Sequence, residues 1–238
     1  MPQVLVIAPP DSSLASLLQS ADLPEFAPVF ASAEDASSSQ LAEAEIVFGA
    51  PDAIAPLLRH CSRLRWVQST WAGVRPLIQE SPRGYQLTAL KGVFGQLMSE
   101  YVLGWILALE RRIIERAYDR SWNTANDRSV AGRRMGIMGT GSIGSEVARA
   151  SAALGIKVVG MNSDGRDVVG FDRCYPGTQR LAFAHGLDYL VSVMPETPAT
   201  DGLVDGELIA TLANDALFIN GGRANCVVED ELLAALQS

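Results

Sequence analysis

Two α/β units, each a parallel sheet with crossover helices, are predicted for this 238-residue chain by three observations. Short β-rich runs alternate with helical periods along its whole length. A glycine hexad stands between an apolar run and an amphipathic period at residues 135–154. A long apolar helical period at residues 97–109 separates the two stretches of alternation.

The first unit, residues 1–94, reads as a smaller flavodoxin-like lobe. Its strands are expected at 4–8, 45–49, 66–69 and 86–89, and its helices at 12–19 and 53–60. The run Ser37-Ser38-Ser39 is read as a loop. Beyond Gly95, apolar Leu97, Met98, Tyr101, Val102, Trp105, Ile106 and Leu109 recur at helical spacing. Residues 110–120 are read as its continuation, and 123–128 as a polar loop. The second unit, residues 95–238, is expected to hold strands at 135–138, 157–162, 189–193 and 216–220, a short one at 171–174, and helices at 142–154 and from Glu229 onward.

Composition narrows the classes of function. The chain carries 48% hydrophobic residues and a mean hydropathy of +0.14, too apolar for a disordered protein. Its net charge of −8 has an uneven origin. Eight acids precede Arg59, the first base, and the remaining 19 acids are matched by 19 bases. That balance speaks against a nucleic-acid or anionic-membrane surface. No apolar stretch approaches the roughly 20 residues of a membrane span, and the first ten residues read as a strand rather than a signal peptide. Cys61, Cys174 and Cys226 are scattered without metal-ligand spacing. They are read as reduced thiols of a cytoplasmic protein with no metal site.

The hexad Gly139-Thr140-Gly141-Ser142-Ile143-Gly144 has the spacing GxGxxG in the context that gives it meaning, directly after a strand and directly before a helix. Gly139 permits the tight turn, Gly141 admits a pyrophosphate close to the backbone, and Gly144 lets the helix pack on the strand. The amides of Ser142 and Ile143 lie at the positive end of the helix dipole and are the expected diphosphate donors. This makes the second unit a Rossmann-type dinucleotide-binding domain. At the end of its second strand, neutral Asn162 stands where an NAD-selective site carries an acid. Asn162 and Ser163 can donate to a 2′-phosphate and Arg166 can supply charge, so NADP(H) is favoured over NAD(H). Asp164 is the counter-argument, since an inward carboxylate would restore NAD.

The chain resembles the D-2-hydroxyacid dehydrogenase family, in particular its glyoxylate/hydroxypyruvate reductase branch. The resemblance rests on Trp66-Val67-Gln68-Ser69-Thr70-Trp71-Ala72-Gly73-Val74, on Lys91 to Gly95 with Ser99-Glu100-Tyr101, on the glycine hexad, on Met194-Pro195-Glu196-Thr197-Pro198, and on Phe218-Ile219-Asn220-Gly221-Gly222-Arg223-Ala224-Asn225. It implies hydride transfer between NAD(P)H and a small 2-oxo or 2-hydroxy acid. It implies that Arg223 is the catalytic arginine gripping carboxylate and carbonyl, that Trp71, Ala72 and Gly73 form the substrate-carboxylate loop, that Pro195 and Thr197 lie beside the adenine and ribose, and that Met194 and Gly222 also belong to the cofactor site. A homodimer packed through the nucleotide domain is implied as well.

In the family a Glu and a His act with this arginine further along the chain than Ser238. The two histidines here, His60 and His185, do not match that position. With fewer strands than the six of a full dinucleotide fold, the closing C-terminal part is expected to be missing. Either these residues are a fragment of a longer polypeptide, or the product is catalytically crippled. Two further readings stay open: a nucleotide-binding sensor or partner-binding protein without turnover, and a Rossmann-like domain for another adenosine ligand.

Overall fold

The computed structural model describes residues 2–21, 27–79, 84–121 and 127–237. The chain divides into two units, Met1–Lys91 and Gly92–Ser238. The division falls three residues before the 94/95 position read from the pattern. Part of the expected loop at 123–128 lies outside the described residues.

The first unit runs β1 (Val4–Ile7), α1 (Ser13–Ser20), β2 (Pro28–Ala31), α2 (Ser38–Glu43), β3 (Ile46–Gly49), α3 (Pro51–Ile54) with a 3₁₀ turn over Ala55–His60, β4 (Trp66–Ser69), α4 (Arg75–Gln79) and β5 (Gln86–Thr88). All its strands are parallel, in the order β2-β1-β3-β4-β5, which is the flavodoxin-like order. The core is built from Leu5, Ile7, Leu41, Val47, Ile54, Val67 and Leu77. Ser37-Ser38-Ser39 is not a loop. Ser37 Oγ accepts from the Gln40 amide, and Gln40 Oε1 accepts from the Ser37 amide, a capping box that starts α2. The serines looked like a polar linker because the reciprocal partner, Gln40, lies one residue beyond them. Strand β2 was also missed, since Pro28-Val29-Phe30-Ala31 shows no alternation.

The second unit runs α5 (Gly95–Glu110), α6 (Ile113–Tyr118), β6 (Arg134–Met138), α7 (Ser142–Ala153), β7 (Lys157–Asn162), β8 (Arg173–Pro176), α8 (Arg180–Ala184), β9 (Tyr189–Ser192), α9 (Gly206–Ile209), β10 (Leu217–Asn220) and α10 (Glu229–Leu236). The long helix does not continue through Arg120. Arg112 takes a left-handed backbone with φ 50°, which ends α5 and restarts the chain as α6. Strand β8 lies two residues later than expected.

The five parallel strands are ordered β8-β7-β6-β9-β10. In order of appearance this is 3-2-1-4-5, the dinucleotide-fold arrangement over five strands. One face is covered by α5 and α7, packing Val102, Ile106, Val147 and Ala148 against Met135, Ile137 and Val191. The other carries Phe183, Leu187 and Leu208 against Met138, Met161 and Leu190. Gly136 makes that second layer possible, because a Cβ there would lie 2.2 Å from Leu187 Cδ1 and 2.7 Å from Phe183 Cζ. A cavity of about 1360 Å³ runs along β10, bounded by Tyr101 and Trp105 of α5 and by Leu232 and Leu236 of α10. No helix among the described residues is long and apolar enough to cross a membrane.

At the amino end of β9, the buried Tyr189 hydroxyl donates to Glu110 Oε1 at 2.9 Å, satisfying a carboxylate that is itself buried in α5. Burial, and secondarily the Glu110 bond, push the phenol well above its ordinary value of 10. The folded state therefore keeps the proton that the unfolded chain loses near pH 10. This contribution to stability is fully present below that pH and lost as pH rises beyond it. In urea unfolding followed by circular dichroism, Tyr189→Phe should make the total fall of stability between pH 9 and 11 smaller by about 1.4 kcal/mol.

Candidate functional site

The carboxyl ends of β6, β7, β9 and β10 share one edge of the second sheet. Strands β6 and β9 are neighbours from which the chain winds in opposite directions. In open α/β sheets such a switch point, at the carboxyl edge, is where ligands bind.

The glycine turn follows β6. Gly139 has φ 100°, a conformation that favours glycine, and its amide donates to Met161 O on β7 at 2.9 Å. Helix α7 then starts so close to the strand that a Cβ on Gly144 would lie 1.9 Å from Gly139 O. At Gly141 the situation is the reverse, with nothing within 4 Å of where a Cβ would stand. No side chain caps α7, so its first-turn amides, those of Ser142 and Ile143 among them, lack an intrahelical acceptor. Open space over bare amides at a positive helix end suits an anionic diphosphate.

At the end of β7 the geometry changes the role read for Asn162. Its Nδ2 donates to Thr140 Oγ1 at 3.2 Å and to Arg166 O at 2.9 Å, and its Oδ1 accepts from the Gly165 amide at 2.6 Å. Both amide hydrogens are engaged within the chain, so Asn162 braces the turn rather than presenting donors to a ligand. Ser163 and Arg166 are exposed. Asp164 Oδ1 accepts from Arg166 Nη1 at 2.9 Å, and both side chains are more than half exposed.

After β9 the chain passes through Met194, which is buried, and through exposed Pro195 and Thr197. Gly222 packs onto this stretch, and a Cβ there would meet Met194 O at 2.7 Å. Arg223 follows β10 and is exposed. Its Nη1 donates to Gly222 O at 3.2 Å, and it has no carboxylate partner among the described residues. The loop is held by its backbone, since Asn220 Nδ2 and the Cys226 thiol both donate to Arg223 O, at 3.1 Å each. Sequence reasoning missed Thr200 and Asn225, which tie this loop to the stretch after β9. The signal was present as the spacing Thr197-x-x-Thr200, a serine/threonine turn pattern.

The remaining site residues belong to the first unit. Trp71, Ala72 and Gly73 follow the carboxyl end of β4. The buried Ser69 hydroxyl accepts from the Trp71 amide and donates to Trp71 O, both at 2.9 Å, which fixes the start of this loop. Trp71 is 52% exposed. His60 ends the 3₁₀ turn of the first unit, while His185 caps α8 ahead of the amino end of β9, the opposite end from the glycine turn. All three cysteines are free and buried, and burial raises the thiols of Cys61 and Cys174. Among the described residues no three His, Cys, Asp or Glu gather as a metal site.

Sheet order, glycine turn and uncapped helix together define the second unit as a Rossmann-type nucleotide-binding domain. Residues 103–238 match the family model described as "D-isomer specific 2-hydroxyacid dehydrogenase, NAD binding domain", and the chain belongs to that family. It is 30% identical to a glyoxylate/hydroxypyruvate reductase A of Serratia proteamaculans over 192 residues, 76% of this chain and 61% of that protein. The chain thus spans about three fifths of the length of this curated relative. A crystal structure of a D-isomer specific 2-hydroxyacid dehydrogenase family protein from Aeromonas salmonicida superposes with a TM-score of 0.90 at 34% identity, over 100% of this chain and 78% of that one. An NADPH-dependent glyoxylate/hydroxypyruvate reductase of Sinorhizobium meliloti, solved with NADP and sulfate, gives 0.82 at 26% identity with the same coverage.

The two glycines separate packing from binding. Gly141→Ala should melt within about 2 °C of the parent yet bind nucleotide at least tenfold more weakly, because only a ligand meets the new methyl. Gly144→Ala should instead destabilise the fold by about 1–3 kcal/mol. Thermal melts and nucleotide fluorescence titrations of both variants read the difference.

Proposed function

We propose that this chain binds the nucleotide and the substrate in an NADP(H)-preferring reductase of small 2-oxo acids, of the glyoxylate/hydroxypyruvate type. The observation that carries this is the placement of Arg223. An exposed guanidinium, with no carboxylate partner among the described residues, follows β10 on the same sheet edge as an uncapped glycine turn.

In this reading the amides of Ser142 and Ile143 hold the diphosphate across the open space at Gly141. Met194, Pro195, Thr197 and Gly222 form the strip along the adenosine and ribose. When bound, the reduced nicotinamide supplies the hydride equivalent for the 2-carbon of the oxo acid. The Arg223 fork donates to one carboxylate oxygen and to the 2-oxo group, drawing electron density from the carbon to be reduced and stabilising the developing alkoxide. By the same family resemblance, the Ala72 and Gly73 amides of the first unit are the candidate donors to a substrate carboxylate. His185 lies at the amino end of β9 and His60 ends the 3₁₀ turn of the first unit, so neither is proposed as the donor of the alkoxide proton.

The preference for NADP(H) rests on Asn162 in place of an acid at the end of β7, with Ser163 and Arg166 beside it. Asp164 pairs with Arg166 through Oδ1 at 2.9 Å, which offsets part of its charge. The NADP complex of the Sinorhizobium meliloti reductase supports the same reading.

Two measurements test this. Oxidation of NADPH should be driven by glyoxylate or hydroxypyruvate, and Arg223→Gln should lower kcat/KM for the acid by about 10²-fold or more while NADPH affinity stays within about twofold. An unchanged kcat/KM in that variant overturns the assignment. Arg166→Ala should weaken NADPH binding about tenfold without weakening NADH, since of the two nucleotides only NADPH carries a 2′-phosphate for this side chain. Equal loss for both nucleotides overturns the specificity reading.

A further inference from the structure

We propose that Thr200 is a positioning residue that locks the strip after β9 to the loop bearing Arg223, so that nucleotide contacts and the substrate guanidinium are set in one register. The inference rests on the proposed function and adds a residue to it that touches neither ligand.

The Thr200 hydroxyl is a hub between two segments. Its Oγ1 accepts from the Thr197 amide at 3.0 Å, and its single hydrogen lies within reach of Pro195 O at 2.8 Å and Thr197 O at 2.9 Å. On the other side Asn225 Nδ2 donates to the same oxygen at 3.4 Å and also reaches Asp201 Oδ1. The backbone continues the seam: the Gly202 amide donates to Asn225 O at 2.9 Å and the Val204 amide to Cys226 O at 2.8 Å. Next to it, Cys226 and Asn220 fix the Arg223 carbonyl. Thr200 is thus a side chain bonded both to the Pro195–Thr197 turn and to the loop after Arg223. Asn225 Oδ1 is buried without a partner among the described residues, so Asn225 is oriented only by its Nδ2 contacts to Thr200 and Asp201.

A hydroxyl that accepts from one segment and donates within it while receiving an amide from the other couples their positions. A valine of the same shape keeps the packing and removes every one of these bonds. Serine keeps the bonds and removes only a methyl.

Hydrogen–deuterium exchange of the purified protein without ligand, followed by NADPH and oxalate titration, tests the lock. Thr200→Val should speed exchange in both 195–204 and 222–228, weaken NADPH about tenfold, and weaken oxalate binding to the NADPH-loaded protein to a similar degree. Thr200→Ser should stay within about twofold of the parent in each readout. Faster exchange in only one segment, unchanged NADPH and oxalate affinity in Thr200→Val, or Thr200→Ser behaving like Thr200→Val overturns the proposal. If the parent protein takes up no NADPH, the functional reading fails, while the exchange data still judge the coupling of the two segments.

Discussion

The close approach of α7 to β6 is the constraint on which the second unit depends. With the Gly144 position only 1.9 Å from Gly139 O when a Cβ is added, no other residue lets the helix begin there. Because the helix begins there, its bare first-turn amides face the carboxyl edge of the sheet at the switch point. One packing requirement therefore sets where negative charge is welcome, and the other candidate groups fall into place around it by strand order.

The chemistry is distributed over the edge in a consistent way. Cationic and donor groups follow strand ends: the uncapped helix after β6, Arg166 after β7 and Arg223 after β10. Groups that shape backbone lie between them. Asn162 braces the turn after β7, and Gly222 admits the Arg223 loop against Met194. Ser163, Arg166 and Arg223 are exposed, whereas Asn162 spends its hydrogen-bonding capacity inside the protein. This division is what preorganisation demands, since a group that must meet a ligand cannot also hold the scaffold.

Much of this was legible in the sequence because it is written in local patterns. Central strands such as β1 and β9 are wholly buried and largely apolar, so they stand out, and the glycine spacing between strand and helix gave the site its anchor. What was not legible depends on contacts between distant positions. Asn162 was read as a donor to ligand because its commitment to Thr140, 22 residues earlier, leaves no trace in local sequence. Thr200 went unremarked because its partner Asn225 lies 25 positions away. The end of α5 escaped notice since Arg112 is an ordinary residue in an uncommon backbone state. The α2 start at Ser37 differs from these, for its capping pattern was present in four consecutive residues and was simply taken for a linker.

Strand β10 has a further consequence for handling the protein. It closes the sheet order, and no strand lies on its outer side among the described residues, while apolar Tyr101 and Trp105 flank the cavity beside it. An edge of unpaired amides and carbonyls next to aromatic surface is a template for adding foreign chain. A lysine introduced on the outer side of β10 would be the rational route to keeping this margin from pairing with another chain.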